Sequence, residues 1–180
     1  MKFRFVRIAL LAAAAALGGC AATVTHNANA PGAARIQVPG PSSSEIVVNV
    51  TGSDAARGSK DWAGFRQEFI NAITAEASAA SIRYKAQDGE PKAEGKPGTL
   101  VAIDVIDYHW VSTGARFGLG VMTGNAYLNA KVRYLDLATG KSFGEETIDT
   151  SSSAWQGIFA PMTDKQLAAA AKEIVGQVHH

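Results

Sequence analysis

The sequence predicts a single α+β domain of order β-α-β-β-β-β-α, with a mostly antiparallel sheet and two helices packed on one face. Three observations predict it. Two segments place apolar residues at helical spacing. Several others alternate apolar and polar residues. A polar turn carrying glycine joins the clearest alternating pair.

The elements follow in order. Glu45 to Thr51 is rich in β-branched residues and flanked by turn formers, which predicts a first strand. A helix is predicted from Lys60 to Ala80. Trp62, Phe65, Phe69, Ile73, Ala77 and Ala80 share one face, Ser59 is placed to cap the start, and Asp61 suits the positive end of the dipole. The helix aromatics read as core. Ile82 to Ala86 is a short candidate strand, and Gln87 to Gly98 is a polar loop.

Thr99 to Val111 is apolar on both faces, as a central strand requires. Strict alternation puts Leu100, Ala102, Asp104, Ile106, Tyr108 and Trp110 on one face, with Val101, Ile103 and Val105 on the other. From Asn125 to Leu137, Leu128, Ala130, Val132 and Tyr134 alternate with Asn129, Lys131 and Arg133. Asp136 to Lys141 is a hairpin turn with Gly140 free to take positive φ, and Lys141 to Ser151 is the return strand. A last helix is expected from Asp164 to Val178, buried along Leu167, Ala171, Ile174 and Val178. Thr163 and Gln166 have capping-box spacing, and Met162 and Leu167 that of a hydrophobic staple.

The amino-terminal end has a different logic. Lys2, Arg4 and Arg7 precede a ten-residue apolar stretch from Ile8 to Leu17. A spanning helix needs about 20 apolar residues, so this is expected to be an export signal. Leu17-Gly18-Gly19-Cys20 resembles the lipobox of bacterial lipoproteins, and Cys20 is the sole cysteine. The resemblance implies cleavage between Gly19 and Cys20, and diacylglycerol on the Cys20 thiol. Ala21, in place of an aspartate, implies the outer membrane rather than the inner one. The expected organisation is a signal peptide at 1–19, a lipidated cysteine and flexible tether at 20–44, and a periplasmic domain at 45–180. The tether reading rests on small, polar and proline residues, which bury too little apolar surface to offset ordering entropy. Within it, Ile36 and Val38 have the pattern of a short edge strand that the flanking prolines limit.

Of 17 basic and 16 acidic residues, Lys2, Arg4 and Arg7 belong to the signal, so the remaining 161 residues carry a net charge of −2. That balance offers no electrostatic footprint for nucleic acid. With Cys20 consumed by lipid, no thiol remains for a disulfide, and the fold must rest on its core.

Catalytic chemistry has no local signature. Asp104 and Asp107 stand three apart, which in a regular strand puts them on opposite faces, and Glu145 and Glu146 are adjacent. No serine sits in a Gly-x-Ser-x-Gly elbow. His26, His109 and the His179-His180 tail lack metal-ligand spacing, so no metal is expected. Gly114 to Gly124 is glycine-rich but lacks the lysine and following helix of a phosphate loop. It reads as a strand connection, its apolar Phe117 and neighbours packing on the sheet or touching a partner or a lipid surface. No cofactor is expected beyond the covalent lipid. Trp110, Phe117, Trp155 and Phe159 are the candidate partner-binding residues, since exposed aromatics anchor interfaces. A catalytic set converging on Asp, Ser and His109 would instead mark an enzyme.

Leu17 to Cys20, Arg116 to Gly124 and Asp136 to Lys141 together resemble a group of small proteobacterial lipoproteins carrying a domain of unknown function. The strand and helix order is similar to the amino-terminal domain of TolB and to lipoprotein activators of peptidoglycan synthases, which are non-enzymatic binding modules. The resemblance implies an adaptor anchored in the outer membrane by lipid and bound to an envelope protein. The alternative is a carrier of lipid or another small apolar ligand, which would require an apolar cavity under the helices.

Overall fold

The computed structural model describes residues 23–26, 36–110, 126–151 and 162–179. The expected α+β architecture is present, with additions. The strands are β1 (Thr23–His26), β2 (Glu45–Gly52), β3 (Arg83–Gln87), β4 (Thr99–His109), β5 (Tyr127–Asp136) and β6 (Ser142–Ser151). The helices are α1 (Asp54–Gly58), α2 (Trp62–Ala79) and α3 (Met162–Val178). The six strands form one sheet in the order β1-β6-β5-β4-β2-β3.

The sheet is mostly antiparallel, as expected, with a parallel part at one edge. β4, β5, β6 and β1 pair antiparallel, whereas β2 runs parallel to both β3 and β4. A parallel pair needs a long crossover. Helix α2 supplies it between β2 and β3, and the polar stretch 88–98 supplies it between β3 and β4.

Helices α2 and α3 pack on one face of the sheet. Phe65, Phe69, Ile73 and Ala77 of α2 meet Leu167, Ala170, Ala171, Ile174 and Val178 of α3 over the inward side chains of β2, β4, β5 and β6. Among the described residues, the opposite face is covered at one end. There Val47, Leu100 and Leu137 form a small second cluster. The crossover is tied to it by backbone hydrogen bonds from Glu94 and Gly95 to the Leu137 carbonyl, and from Leu137 N–H to the Gly98 carbonyl. Glu45 receives Lys96 and Arg83, and Glu94 receives Lys85 and Lys96. These bridges are partly exposed and orient the loop more than they stabilise it.

Several expectations are corrected. The segment read as a free tether contributes to the fold. Thr23–His26 pairs with β6 as an edge strand, and Ile36 and Val38 are buried in the main core. Ser59 does not cap α2. It ends the additional short helix α1, whose N-cap Ser53 accepts the Ala56 N–H, while Asp61 occupies the N-cap position of α2. At the last helix, the described contacts concern Met162 and Gln166 alone. The helix already includes Met162, and the Gln166 side chain donates to the Ala126 carbonyl at 3.1 Å. The turn at Asp136 to Lys141 is as expected. Gly140 has φ +77°, and the Asp136 carboxylate accepts from Ala138 N–H and the Thr139 hydroxyl.

Candidate functional site

The end of the sheet where β4 stops and β5 starts is shaped by a β-bulge. Pairing between β4 and β5 shifts between Val105 and Asp107, which leaves Ile106 as the extra residue. A bulge flips the alternation downstream of it. Tyr108 and Trp110 therefore pack on the helix side with Val101, Ile103 and Val105, not with Leu100 as strict alternation required. The bulge also brings Asp104 and Asp107 to the same open face, where the sequence placed them apart. Ser53 locks it: its hydroxyl donates to the Ile106 carbonyl at 2.8 Å, and its N–H bonds the Val105 carbonyl at 2.9 Å.

On the helix side, Tyr108 stacks on Phe65 at 4.2 Å between ring centres, and Trp62 tilts against both at 5.9 Å. Trp110 lies over Gly64 of α2, where a Cβ would come within 3.1 Å of the ring. The small residue is what admits the indole. Trp110 is thus partly buried against the core. Phe117, Trp155, Phe159, Gly19 and Cys20 lie outside the described residues.

Asp61 accepts hydrogen bonds from the Ser59 hydroxyl and, at 2.8 Å, from the Tyr108 hydroxyl. Burial, the largest single influence, disfavours its charge, but these two bonds, a backbone hydrogen bond and the charge of nearby His109 together hold the carboxyl below the usual range. Burial and then Asp61 push the Tyr108 phenol up to about 12. The Ser59, Asp61 and His109 neighbourhood does not have the order of a hydrolytic triad. Ser59 donates directly to the carboxylate instead of to an imidazole.

A titration follows from this pair. The Tyr108 phenol is expected to ionise near pH 12, after ordinary tyrosines, when phenolate absorbance is followed. The folded state holds this proton more tightly than the unfolded one. The associated stability is therefore complete below the unfolded value of about 10 and is lost as pH rises towards 12. Asp61→Asn should lower the Tyr108 midpoint without returning it to the ordinary value, because burial is the larger cause. An unchanged midpoint would show that the bond plays no part.

On the open face, Ile106 is 47% exposed and Tyr127 39% exposed. The Tyr127 hydroxyl donates to Asp107 at 3.0 Å, and its ring stacks on His109 at 6.1 Å. Asn129 donates to Asp149 at 2.9 Å, and Lys131 pairs with Glu145 at 3.0 Å. The result is a small apolar and aromatic patch inside a polar surround. The sequence reading missed Ile106, Asp107 and Tyr127 as a group. The available signal was the break in phase after Val105, where apolar positions 101, 103 and 105 give way to 108 and 110.

A recess lies between this sheet end and the two helices, and its lining includes His109 and Tyr127 as well as Phe65, Trp110, Thr150 and Gln166. It has room for about one water molecule. Among the described residues, no three His, Cys, Asp or Glu side chains are placed to share a metal ion, and no helix is long and apolar enough to cross a membrane.

No family model and no curated protein matches the chain. Among solved structures, the chain is similar to a variant of PelC from Paraburkholderia phytofirmans, a dodecamer, with TM-score 0.51 at 10% identity over 88% of this chain and 97% of that one. A Xanthomonas campestris protein of the DUF330 family is also found, with TM-score 0.44 at 10% identity over 78% and 88% of the two chains. At this identity the likeness concerns architecture, and what the chain shares with PelC is the α+β fold.

Proposed function

We propose that the protein is a non-enzymatic binding module of the cell envelope, held by lipid on Cys20 at the periplasmic side of the outer membrane, that docks a protein partner on the uncovered end of its sheet. One observation carries this reading. Among the described residues, the helices occupy one sheet face and the crossover one end of the other, and Ile106 and Tyr127 are exposed on the β-surface beside Asp107, His109 and Asn129. An exposed apolar and aromatic group within a polar rim is the chemistry of a protein interface. The carrier alternative has less support. Pockets for small organic ligands run to about 300–1,000 Å³, and the recess among the described residues has room for about one water molecule.

A second reading is that the partner is another copy of this chain. It is favoured by the PelC variant, which forms a dodecamer.

Photo-crosslinking in living cells from positions 106, 110 and 127, followed by mass spectrometry, tests both. Adducts with one different envelope protein, strongest from 106 and 127, are expected for the adaptor. Adducts of this chain with itself assign self-assembly. Lipid adducts, or none from any position, overturn the proposed surface.

A further inference from the structure

The chain joins the sheet three residues after Cys20. β1 begins at Thr23, which pairs with Ser151; Ser151 pairs with Tyr127, and Tyr127 with His109. These four residues are the last row at one end of the sheet, where β4 and β6 stop and β1 and β5 start. β1 runs inward from that row, from Thr23 beside Ser151 to His26 beside Ile148, so the chain enters it from outside the sheet end. Three residues reach at most about 11 Å, which bounds the distance from Cys20 to the row. The row itself crosses four strands, about 14 Å. A free coil over residues 20–44 would instead separate lipid and domain by about 27 Å on average.

Given the lipid on Cys20 proposed above, on which this orientation rests, we propose that this end of the sheet faces the lipid head groups and that the domain sits at the membrane surface instead of standing off from it. Sequence composition agrees. The stretches that follow Trp110 and Ser151, 111–125 and 152–161, lie outside the described residues and are no part of the surface defined here. Between them they hold one charged residue, Arg116, so little charge would have to be desolvated near lipid. The turn at Asp136 to Lys141 lies at the other end of β5, a 10-residue strand, and so stands about 30 Å further from the membrane. Ile106 belongs to the open face, which rises from the lipid surface, so a protein partner and the membrane take different sides of the domain.

The test measures height above lipid. Cys20 is the sole cysteine, and lipid consumes its thiol, so an introduced cysteine is the one site for a maleimide fluorophore. His109→Cys marks the near end and Lys141→Cys the far end, both at exposed positions. The full-length lipidated proteins are inserted into the outer leaflet of phosphatidylethanolamine and phosphatidylglycerol vesicles that carry an energy-accepting lipid. Donor quenching is expected to be several-fold stronger from position 109 than from position 141. Inserting 20 Gly and Ser residues between Ala22 and Thr23 should remove most of that difference, because such a coil spans about 25 Å. Equal quenching from 109 and 141 without the insertion, or stronger quenching from 141, in protein that floats with the vesicles overturns the orientation and leaves the lipid anchor standing. Protein that does not float with the vesicles overturns the anchor, and the orientation with it.

Discussion

Replacing Phe69 with alanine is expected to destabilise the fold by about 3–5 kcal/mol. Phe69 is 0% exposed and stands one helical turn from Phe65, with ring centres 6.0 Å apart. It fills the space between α2 and the inward face of the sheet, where Val48, Val101 and Ile103 belong to the same core. Helix and sheet backbones bound that space on both sides, so it cannot collapse to close the cavity. Small domains have a total stability of about 5–15 kcal/mol, and the variant would lose a large share of it. Urea denaturation should show a lower midpoint with an unchanged slope. Ile106→Ala, on the open face, should stay within about 0.5 kcal/mol of the parent. If Phe69→Ala cost no more than Ile106→Ala, the packing of α2 on the sheet would have to be revised.

Replacing Cys20 with serine is expected to move the protein from the membrane to the soluble fraction and to abolish incorporation of a labelled fatty acid. Each buried methylene contributes about 0.8 kcal/mol, and one acyl chain gives only marginal, reversible attachment. Two or three chains on one residue make dissociation negligible on a cellular timescale. The effect should therefore be close to all-or-none. Ala21→Asp keeps the lipid and is expected to shift the protein towards the inner membrane on a density gradient. Denaturation of the purified Cys20→Ser variant should match that of the delipidated parent, since the described core does not include residue 20. A serine variant that still labelled, or stayed membrane-bound, would refute the lipid-anchor proposal.

The local elements were legible because their information is local. The α2 face from Phe65 to Ala77, the alternation of β5 and the turn at Asp136 to Gly140 each depend on residues within a few positions of one another. The candidate site was legible only in part. Trp110 was singled out, but whether it is exposed or buried was not legible. Its place over Gly64 depends on a helix more than forty residues away in sequence.

By itself, the sequence determined the α+β class, the central position of β4, the principal helix faces and the lack of a local catalytic motif. Periodicity and turn chemistry carry that information without reference to partners. Only the tertiary structure decided the parallel pairing of β2, the edge position of Thr23–His26 and the burial of Ile36 and Val38. It also decided the bulge at Ile106, which turned Tyr108 and Trp110 inward and left Ile106 with Asp107 outside. Strand direction and register are set by hydrogen bonds between distant segments. One inserted residue reverses every face beyond it, so a reading of alternation holds only up to the first bulge.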